Sequence, residues 1–546
     1  MNFFNIIFLI LSYSMTQQTA FIYGVASGDA TSDSIIIWTK IDPSVKADKY
    51  KVNYYISEHI FFDKDVISGT VETDDSMGNT IKADISGLKP ATLYYYQFSH
   101  DNIRSVIGKF KTARSDDDIS AIKFVCLSCC HIQDGYFSAY QHVGDIKDLD
   151  FVIHLGDSIY EYGQNNKDSW NKLPPNIRKP NDKYFRTIHQ PVGDCVTLED
   201  YRTRYSQYQK DPQLQYGMSQ HCYYHIWDDH EIADNTYNGG SYQHNPAIHR
   251  EWKDRFAAAK QAWLENHPIR GTEIYRAVAY SKLANIILLD ARSYRDKQPT
   301  RSVLSNPRTL LGDSQKKFVK ENINNSKSIW TLIGNPVMFS PWNIKVPVPK
   351  NFLFNWFRKI LGLDGKNNMI ANPDQWDGYG LERNEIMECI VNTNNTVFLT
   401  GDLHMSMACE VPLSCSKYTE LTIATESTEL TMAKQEYTKS TIATELVTPS
   451  VTSDNFNDIL LLREGNIFSR LLEKIFLKSN SHIKLIDVDR HGYILVNLSH
   501  ELLRAEYWFL ENPKDISSNQ YLGYGVKILN SINKIIRINY QLKIDK

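Results

Sequence analysis

Three apolar runs that end in acids constrain this chain more than anything else in it. Phe151-Val152-Ile153-His154-Leu155 passes into Gly156-Asp157-Ser158-Ile159-Tyr160, Tyr223-Tyr224-His225-Ile226-Trp227 into Asp228-Asp229-His230-Glu231, and Thr396-Val397-Phe398-Leu399-Thr400 into Gly401-Asp402-Leu403-His404. Short, nearly unbroken apolar runs are the signature of strands buried on both faces, as in a parallel or mixed sheet covered by helices. Open α/β sheets place their ligands at the carboxyl ends of strands, so the pattern predicts that Asp157, Asp229, His230, Asp402 and His404 meet at neighbouring tips. Carboxylates and imidazoles converging there suit a metal-dependent phosphoryl-transfer centre, because cations polarise phosphoryl oxygens and lower the pKa of a bound water. Either Asp157 or Asp402 alone reads equally well as a helix cap. Three coincident strand ends make that reading poor.

At 546 residues the chain has room for two or more domains. Hydrophobic and aromatic contents of 42% and 12% argue for a packed globular protein, and a net charge of −3 gives no sign of a nucleic-acid-binding domain. Eight cysteines are too few for a disulfide-dense scaffold; Cys126 and Cys129 form a lone C-x-x-C inside a predicted strand, so most are expected to be core thiols. The run Phe3 to Leu11 is too short to span a membrane and fits the apolar region of a signal peptide cleaved after Ser14, although no Lys or Arg precedes it. A secreted or luminal destination is the expectation, and acceptor sequences at Asn324, Asn394 and Asn497 fit it.

In chain order, residues 1–20 read as the signal peptide and 21–114 as a small β-sandwich, with strands at 34–39, 51–56 and 93–98. Gly87-Leu88-Lys89-Pro90-Ala91-Thr92-Leu93-Tyr94 is similar to the tyrosine corner of a fibronectin type III-like module, whose expected role is packing. After the polar hinge 115–118, residues 119–510 alternate strands (122–128, 151–155, 223–227, 285–289, 330–334, 396–400) with helices such as 252–266, an α/β layered fold with one sheet or two. The polar stretch 163–191 is expected to shape the pocket. Arg292, just past the 285–289 strand, either forks two phosphate oxygens or pairs on the surface with Asp290 or Asp296. The aromatic segment 352–361 is expected to be buried rather than to act as a lid or touch a membrane. Thr-Ile-Ala-Thr-Glu occurs twice, from Thr422 and Thr441, as in a local duplication or hairpin. The C-terminal extension 511–546 contains a basic stretch, 523–546, that allows either packing or membrane-surface contact.

Taken together, these residues resemble the alkaline phosphatase D (PhoD-like) family of metallophosphoesterases. The resemblance is carried by Gly24-Val25-Ala26-Ser27-Gly28-Asp29 with Ile37-Trp38-Thr39, Ser128-Cys129, Gly156-Asp157-Ser158-Ile159-Tyr160-Glu161-Tyr162, Trp227-Asp228-Asp229-His230-Glu231, Leu289-Asp290-Ala291-Arg292-Ser293-Tyr294-Arg295, Asp377-Gly378-Tyr379, Thr400-Gly401-Asp402-Leu403-His404 and the 445–453 run, in family order. It implies a four-layer αββα metallophosphatase domain behind the sandwich. It also implies a phosphomonoesterase or phosphodiesterase that uses a metal-activated hydroxide. The site would be similar to that of a purple acid phosphatase: Cys129, Asp157, Tyr160 and His404 on ferric iron, Asp157 bridging to calcium held also by Asp229 and Asp402, and His230 near the leaving group. Zinc or manganese are the alternative ions. A phospholipase D-like preference and a catalytically silent binding protein are the rival readings. The chain departs from the bacterial pattern in lacking a twin-arginine signal, in carrying Cys130 after Cys129, and in expanded 342–363 and 420–448 regions.

Overall fold

The computed structural model describes residues 20–45, 48–163, 186–299, 307–344, 369–370, 372–391, 393, 395–413, 441–460 and 462–539. The run Phe3 to Leu11, the aromatic segment 352–361 and the first Thr-Ile-Ala-Thr-Glu copy lie outside them, whereas the second copy is the strand Thr441–Val447.

Two sheets stack face to face. In the first, Ile122–Leu127, Phe151–Leu155 and Cys222–Ile226 run parallel, with Val152 level with Val125 on one side and Tyr223 on the other. In the second, Ala284–Leu288, Trp330–Asn335, Thr396–Thr400 and Thr441–Val447 are parallel. Ile153, Leu155, Leu288, Leu332, Val397 and Leu399 belong to one buried cluster between the sheets, which is why each strand reads as a continuous apolar run. Helices Ser138–Asp145, Leu198–Gln209 and Trp252–Asn266 bury their apolar sides on the outer face of the first sheet, and Gly312–Asn325 and Gly380–Ile390 on that of the second. The result is the four-layer αββα arrangement, with two sheets rather than one. Helix Leu198–Gln209 starts where its sequence says: Thr197 Oγ1 accepts from Asp200 N at 3.2 Å while Asp200 Oδ2 accepts from Thr197 N at 2.7 Å, a capping box.

The sandwich does more than pack against this core. Its strands Val25–Gly28, Ser34–Lys40 and Thr80–Ser86 continue the first sheet, Ser27 pairing with Cys222 and Gly28 with Tyr223, so the exposed edge of Cys222–Ile226 is closed by main-chain hydrogen bonds. Tyr94 Oη accepts from Lys89 N at 3.0 Å, as a tyrosine corner does. At the opposite edge, Leu502–Leu510, Gln520–Leu529 and Ile535–Ile538 extend the sheet. Val526 and Ile528, in the described part of the basic stretch 523–546, point inward and are fully buried. Among the described residues no helix is long and apolar enough to cross a membrane.

Candidate metal centre

The strand tips that the sequence singled out meet at one end of the two sheets. Gly156, at φ 96°, allows this: a Cβ there would fall 2.6 Å from Asp228 Cβ and 2.7 Å from Asp228 N. Gly401 serves the second sheet, where a Cβ would lie 3.1 Å from both Leu155 O and Ser128 Cβ. Beyond the glycines the backbone is strained. Cys129, Asp157, Asp402 and His404 all have left-handed φ (59°, 55°, 61° and 52°), a region that costs a non-glycine residue on the order of 1 kcal/mol. Such strain gathers where surrounding structure imposes it for function. Here the turns hold one another: Cys129 N donates to Gly156 O at 3.2 Å, Cys130 N to Asp157 O at 2.8 Å, and Ser453 Oγ to Cys129 O at 2.9 Å. Neither Asp157 nor Asp402 caps a helix.

Cys129 Sγ, a carboxylate oxygen of Asp157 and a ring nitrogen of His404 lie within 4.8 Å of one another. Tyr160 joins them, its hydroxyl donating to Asp157 Oδ2 at 3.1 Å and standing 3.2 Å from His404 Nε2. His404 Nδ1 contacts Asp454 O at 2.7 Å; since a carbonyl only accepts, Nδ1 carries the proton and Nε2 keeps its lone pair. Burial lowers the His404 pKa to about 4, so the ring is neutral, as a ligand must be. The neighbouring Cys130 turns the other way, toward Tyr140 Oη at 3.3 Å and His154 Nε2 at 3.5 Å. It therefore does not compete with Cys129.

A second group, Asp228, Asp229 and Asp402, adjoins the first, and Asp157, Asp229 and His230 link the two. Arg292 sits among these acids, wholly buried. Its guanidinium forks Asp228 (Nε to Oδ1, and Nη2 to Oδ2 at 2.9 Å) and also donates to Asp374 Oδ2 at 2.8 Å and Asp402 Oδ1 at 3.1 Å. The surface pairing with Asp290 or Asp296 is thus replaced by an internal one, and most of the donors expected for phosphate are committed to carboxylates. Gln375 Nε2 donates to Asp402 Oδ2 at 2.6 Å. His230 Nδ1 meets Glu161 Oε2 at 2.8 Å.

Several supporting residues were not picked out as functional in the sequence. Glu231 accepts from Asp157 N at 2.9 Å, Asp228 N at 2.8 Å, Ser158 N at 2.6 Å and Ser158 Oγ at 2.8 Å, so one buried carboxylate fixes two strand tips. Its place at the end of Asp228-Asp229-His230-Glu231, and Glu161's after Tyr160, were the available signals. Asp374 and Asp454 carried none.

Electrostatics define what the site requires. Burial pushes the carboxyls of Asp157 and Asp228 well up and Asp402 up to about 6, with mutual repulsion adding to each. Although burial opposes it, Arg292 and His230 hold Asp229 below the ordinary range. Burial also opposes the charge on His230, but Asp229, Glu161 and Asp157 carry its pKa well above the usual value. Burial, with Asp157 adding, raises the Cys129 thiol and the Tyr160 phenol. Asp229 Oδ1 is buried and makes no hydrogen bond, with Arg292 Nη2 3.4 Å away as its one ion-pair contact among the described residues. Crowded acids with an orphaned oxygen, beside a thiol, a phenol and a free imidazole lone pair, fit multivalent cations, which relieve the repulsion and take the orphan.

Comparison with known proteins agrees with this geometry. The family model described as PhoD-like phosphatase matches residues 124–507, and that of its N-terminal domain matches residues 11–114. Alkaline phosphatase D of Bacillus subtilis (strain 168) is 30% identical over 512 residues, covering 89% of this chain and 77% of that protein. A solved structure of PhoD aligns with a TM-score of 0.78 at 25% identity, over 95% of this chain and 92% of its own. A purple acid phosphatase from yellow lupin (Lupinus luteus) seeds shares the fold, with a TM-score of 0.54 at 12% identity over 94% of this chain and 75% of its own. With half of its length and more under one family model, and acids, imidazoles and a cysteine thiol converging at the strand tips, the chain belongs to the PhoD-like phosphatase family and is a metal-dependent hydrolase of phosphoric esters.

Proposed function

We propose that Cys129, Asp157, Tyr160 and His404 hold ferric iron and that Asp157, Asp229 and Asp402 hold calcium, Asp157 bridging the two. The observation that carries the reading is the convergence of Cys129, Asp157 and His404 within 4.8 Å with the Tyr160 hydroxyl against two of them. Hard ferric iron suits phenolate and carboxylate, and calcium takes oxygens only. The bound cations would polarise the phosphoryl oxygens and lower the pKa of an attacking water.

The chain's own residues do the rest. Protonated His230, held at Nδ1 by Glu161, keeps its Nε2 proton for the leaving alkoxide. Arg292 holds Asp228, Asp374 and Asp402 in register and offsets their charge. Glu231 and Glu161 fix the backbone and ring that the reaction needs still. Monoesters and diesters both fit this chemistry.

Metal analysis of chelator-free protein, with its visible absorption, tests the assignment. About one iron per chain with a charge-transfer band is expected, since thiolate and phenolate ligands donate charge to ferric iron. Zinc or manganese without such a band would overturn the roles of Cys129 and Tyr160 while leaving the hydrolase intact. Export is proposed on the Phe3 to Leu11 run; amino-terminal sequencing of the secreted protein should find a start after Ser14, and intact Met1 would end that reading.

A further inference from the structure

A cavity of about 650 Å³ opens between the sandwich and the helices on the outer face of the first sheet, a size typical of small-molecule sites. None of the eight predicted site residues lines it. Its charged floor is Lys40, only 4% exposed, whose Nζ donates to Ser206 Oγ at 2.7 Å and lies 5.0 Å from the centre of the Tyr23 ring. The ammonium of Lys210 stands over the same ring at 5.5 Å. Arg186 and Arg202 also face the cavity, but Asp211 engages the first and Glu265 forks the second at 2.8 and 2.7 Å. Among the described residues, neither Lys40 nor Lys210 has a carboxylate in ion-pair contact. The acids that line the cavity without an ion pair, Asp75 and Glu199, are exposed.

A buried ammonium with three N–H groups and one hydroxyl partner is expensive to keep unless something else answers its charge. Burial brings Lys40 down to about 8, the Glu265 and Glu199 carboxylates offsetting only part of that while Arg202 and Lys210 add to it, so it is still a cation at neutral pH. Tyr23 and Asn79 line the cavity beside it, whereas the hydroxyl of Ser206 donates to Arg202 O at 2.7 Å and that of Thr203 to Glu199 Oε1 at 3.5 Å. We propose that this cavity binds a phosphate-bearing anion between Lys40 and Lys210, at a site separate from the metal centre. Ammonium groups serve as point charges for phosphate, and the volume exceeds that of a bare phosphate. Both an organic phosphate and the enzyme's own released phosphate have the chemistry to enter.

Calorimetric titration of the metal-loaded protein distinguishes these sources, using inorganic phosphate in one arm and phenylphosphonate, whose C–P bond resists hydrolysis, in the other. At least one probe should fill a second site beyond the one at which it inhibits turnover competitively. Lys40→Met and Lys210→Glu should each weaken that second site roughly tenfold or more while the competitive inhibition constant stays unchanged. Should Lys40→Met fail to fold, the exposed Lys210→Glu carries the test. Occupancy by phosphate points to the product, and by phosphonate alone to an organic phosphate. A single competitive site for both probes, or a second site indifferent to Lys210→Glu, overturns the proposal.

Discussion

Two clusters of three carboxylates in this molecule look alike by distance alone. Asp228, Asp229 and Asp402 at the strand tips, and Glu473, Asp487 and Asp489 behind the helix Ile467–Ser479, each bring their oxygens within 4.8 Å. Their surroundings differ. In the second, Arg470 donates to both oxygens of Glu473 at 2.7 and 2.8 Å and also to Asp489, while Arg490 takes Asp487 at 3.0 Å; Gly465 N and Asn457 Nδ2 serve Asp489 at 2.8 and 3.1 Å. In the first, Arg292 is shared among Asp228, Asp229, Asp374 and Asp402, and it reaches Asp229 Oδ1 only at 3.4 Å, without a hydrogen bond. Left-handed backbone marks Asp402 and is absent from all three acids of the second cluster. Proximity of acids therefore does not make a metal site. A cluster with two arginines for its three acids is nearly complete in itself, whereas one whose single arginine is shared by four carboxylates on strained strand tips is left short of cations and is built for a guest.

The largest expected effect breaks the comparison directly. Asp157→Asn and Asp402→Asn should lower kcat on the order of 10³-fold with the fold retained, because each removes charge where the phosphoryl group is stabilised. Asp489→Asn should leave kcat within about twofold, as expected of an acid whose partners are Arg470, Asn457 and Gly465 and not the strand-tip residues. Steady-state hydrolysis of a simple phosphate ester, with circular dichroism as the control, decides; full activity in Asp157→Asn would sink the site. Next in size is Glu231→Gln. The amide keeps the shape but offers one acceptor oxygen to four donors, so activity or metal affinity should fall roughly 10–100-fold. Unchanged kinetics and metal content would show that the strand tips hold themselves.

Only the strand-tip side of this contrast was legible in the sequence. The strands at 151–155, 223–227 and 396–400 could be read because burial on both faces writes an unbroken apolar run, and the acids after them because a strand end is where such a run must stop. Cys129, Asp157, Tyr160, Asp229, His230, Asp402 and His404 do converge. Three things were hidden. Arg292 looked like a surface or phosphate-facing arginine because its partners Asp228, Asp374 and Asp402 lie 64, 82 and 110 positions away. Asp374 and Asp454 sit in loops with no periodic signal, and their roles exist only once the sheets stack. The joining of sandwich and catalytic sheet through Ser27 and Cys222 was also invisible, since Val25–Gly28 is four residues long and edge pairing leaves no mark on the side-chain pattern.

The second cluster should respond in stability where the first responds in rate. Arg470→Met removes the cation that joins Glu473 and Asp489 and leaves two buried acids uncompensated. Breaking a buried pair from one side costs about 3–5 kcal/mol, and the low end applies because the Arg470 side chain is 29% exposed. Denaturant unfolding should show that loss, while kcat per folded molecule holds. A loss of activity without a loss of stability would make this cluster a functional site after all and dissolve the contrast with the strand tips.

The smallest effect is a slope. Burial raises the Glu473 pKa to about 7, with Asp487 adding and Arg470 offsetting. The unfolded carboxyl titrates near its ordinary value of about 4.3, so folding favours the protonated form. That contribution is fully present below about pH 4.3 and is lost as the pH rises through about 7. Glu473→Gln stays neutral throughout. The variant's thermal midpoint minus the parent's should therefore climb between about pH 4.5 and pH 7 and level off above about pH 8, while other titrating groups cancel in the difference. A flat difference would mean that Arg470 keeps Glu473 ionised across the range, making this cluster as fully charge-matched as its hydrogen bonds imply. A falling one would mean that the ionised carboxylate stabilises the fold, and the two clusters would then differ in the sign of their electrostatics as well as in their donors.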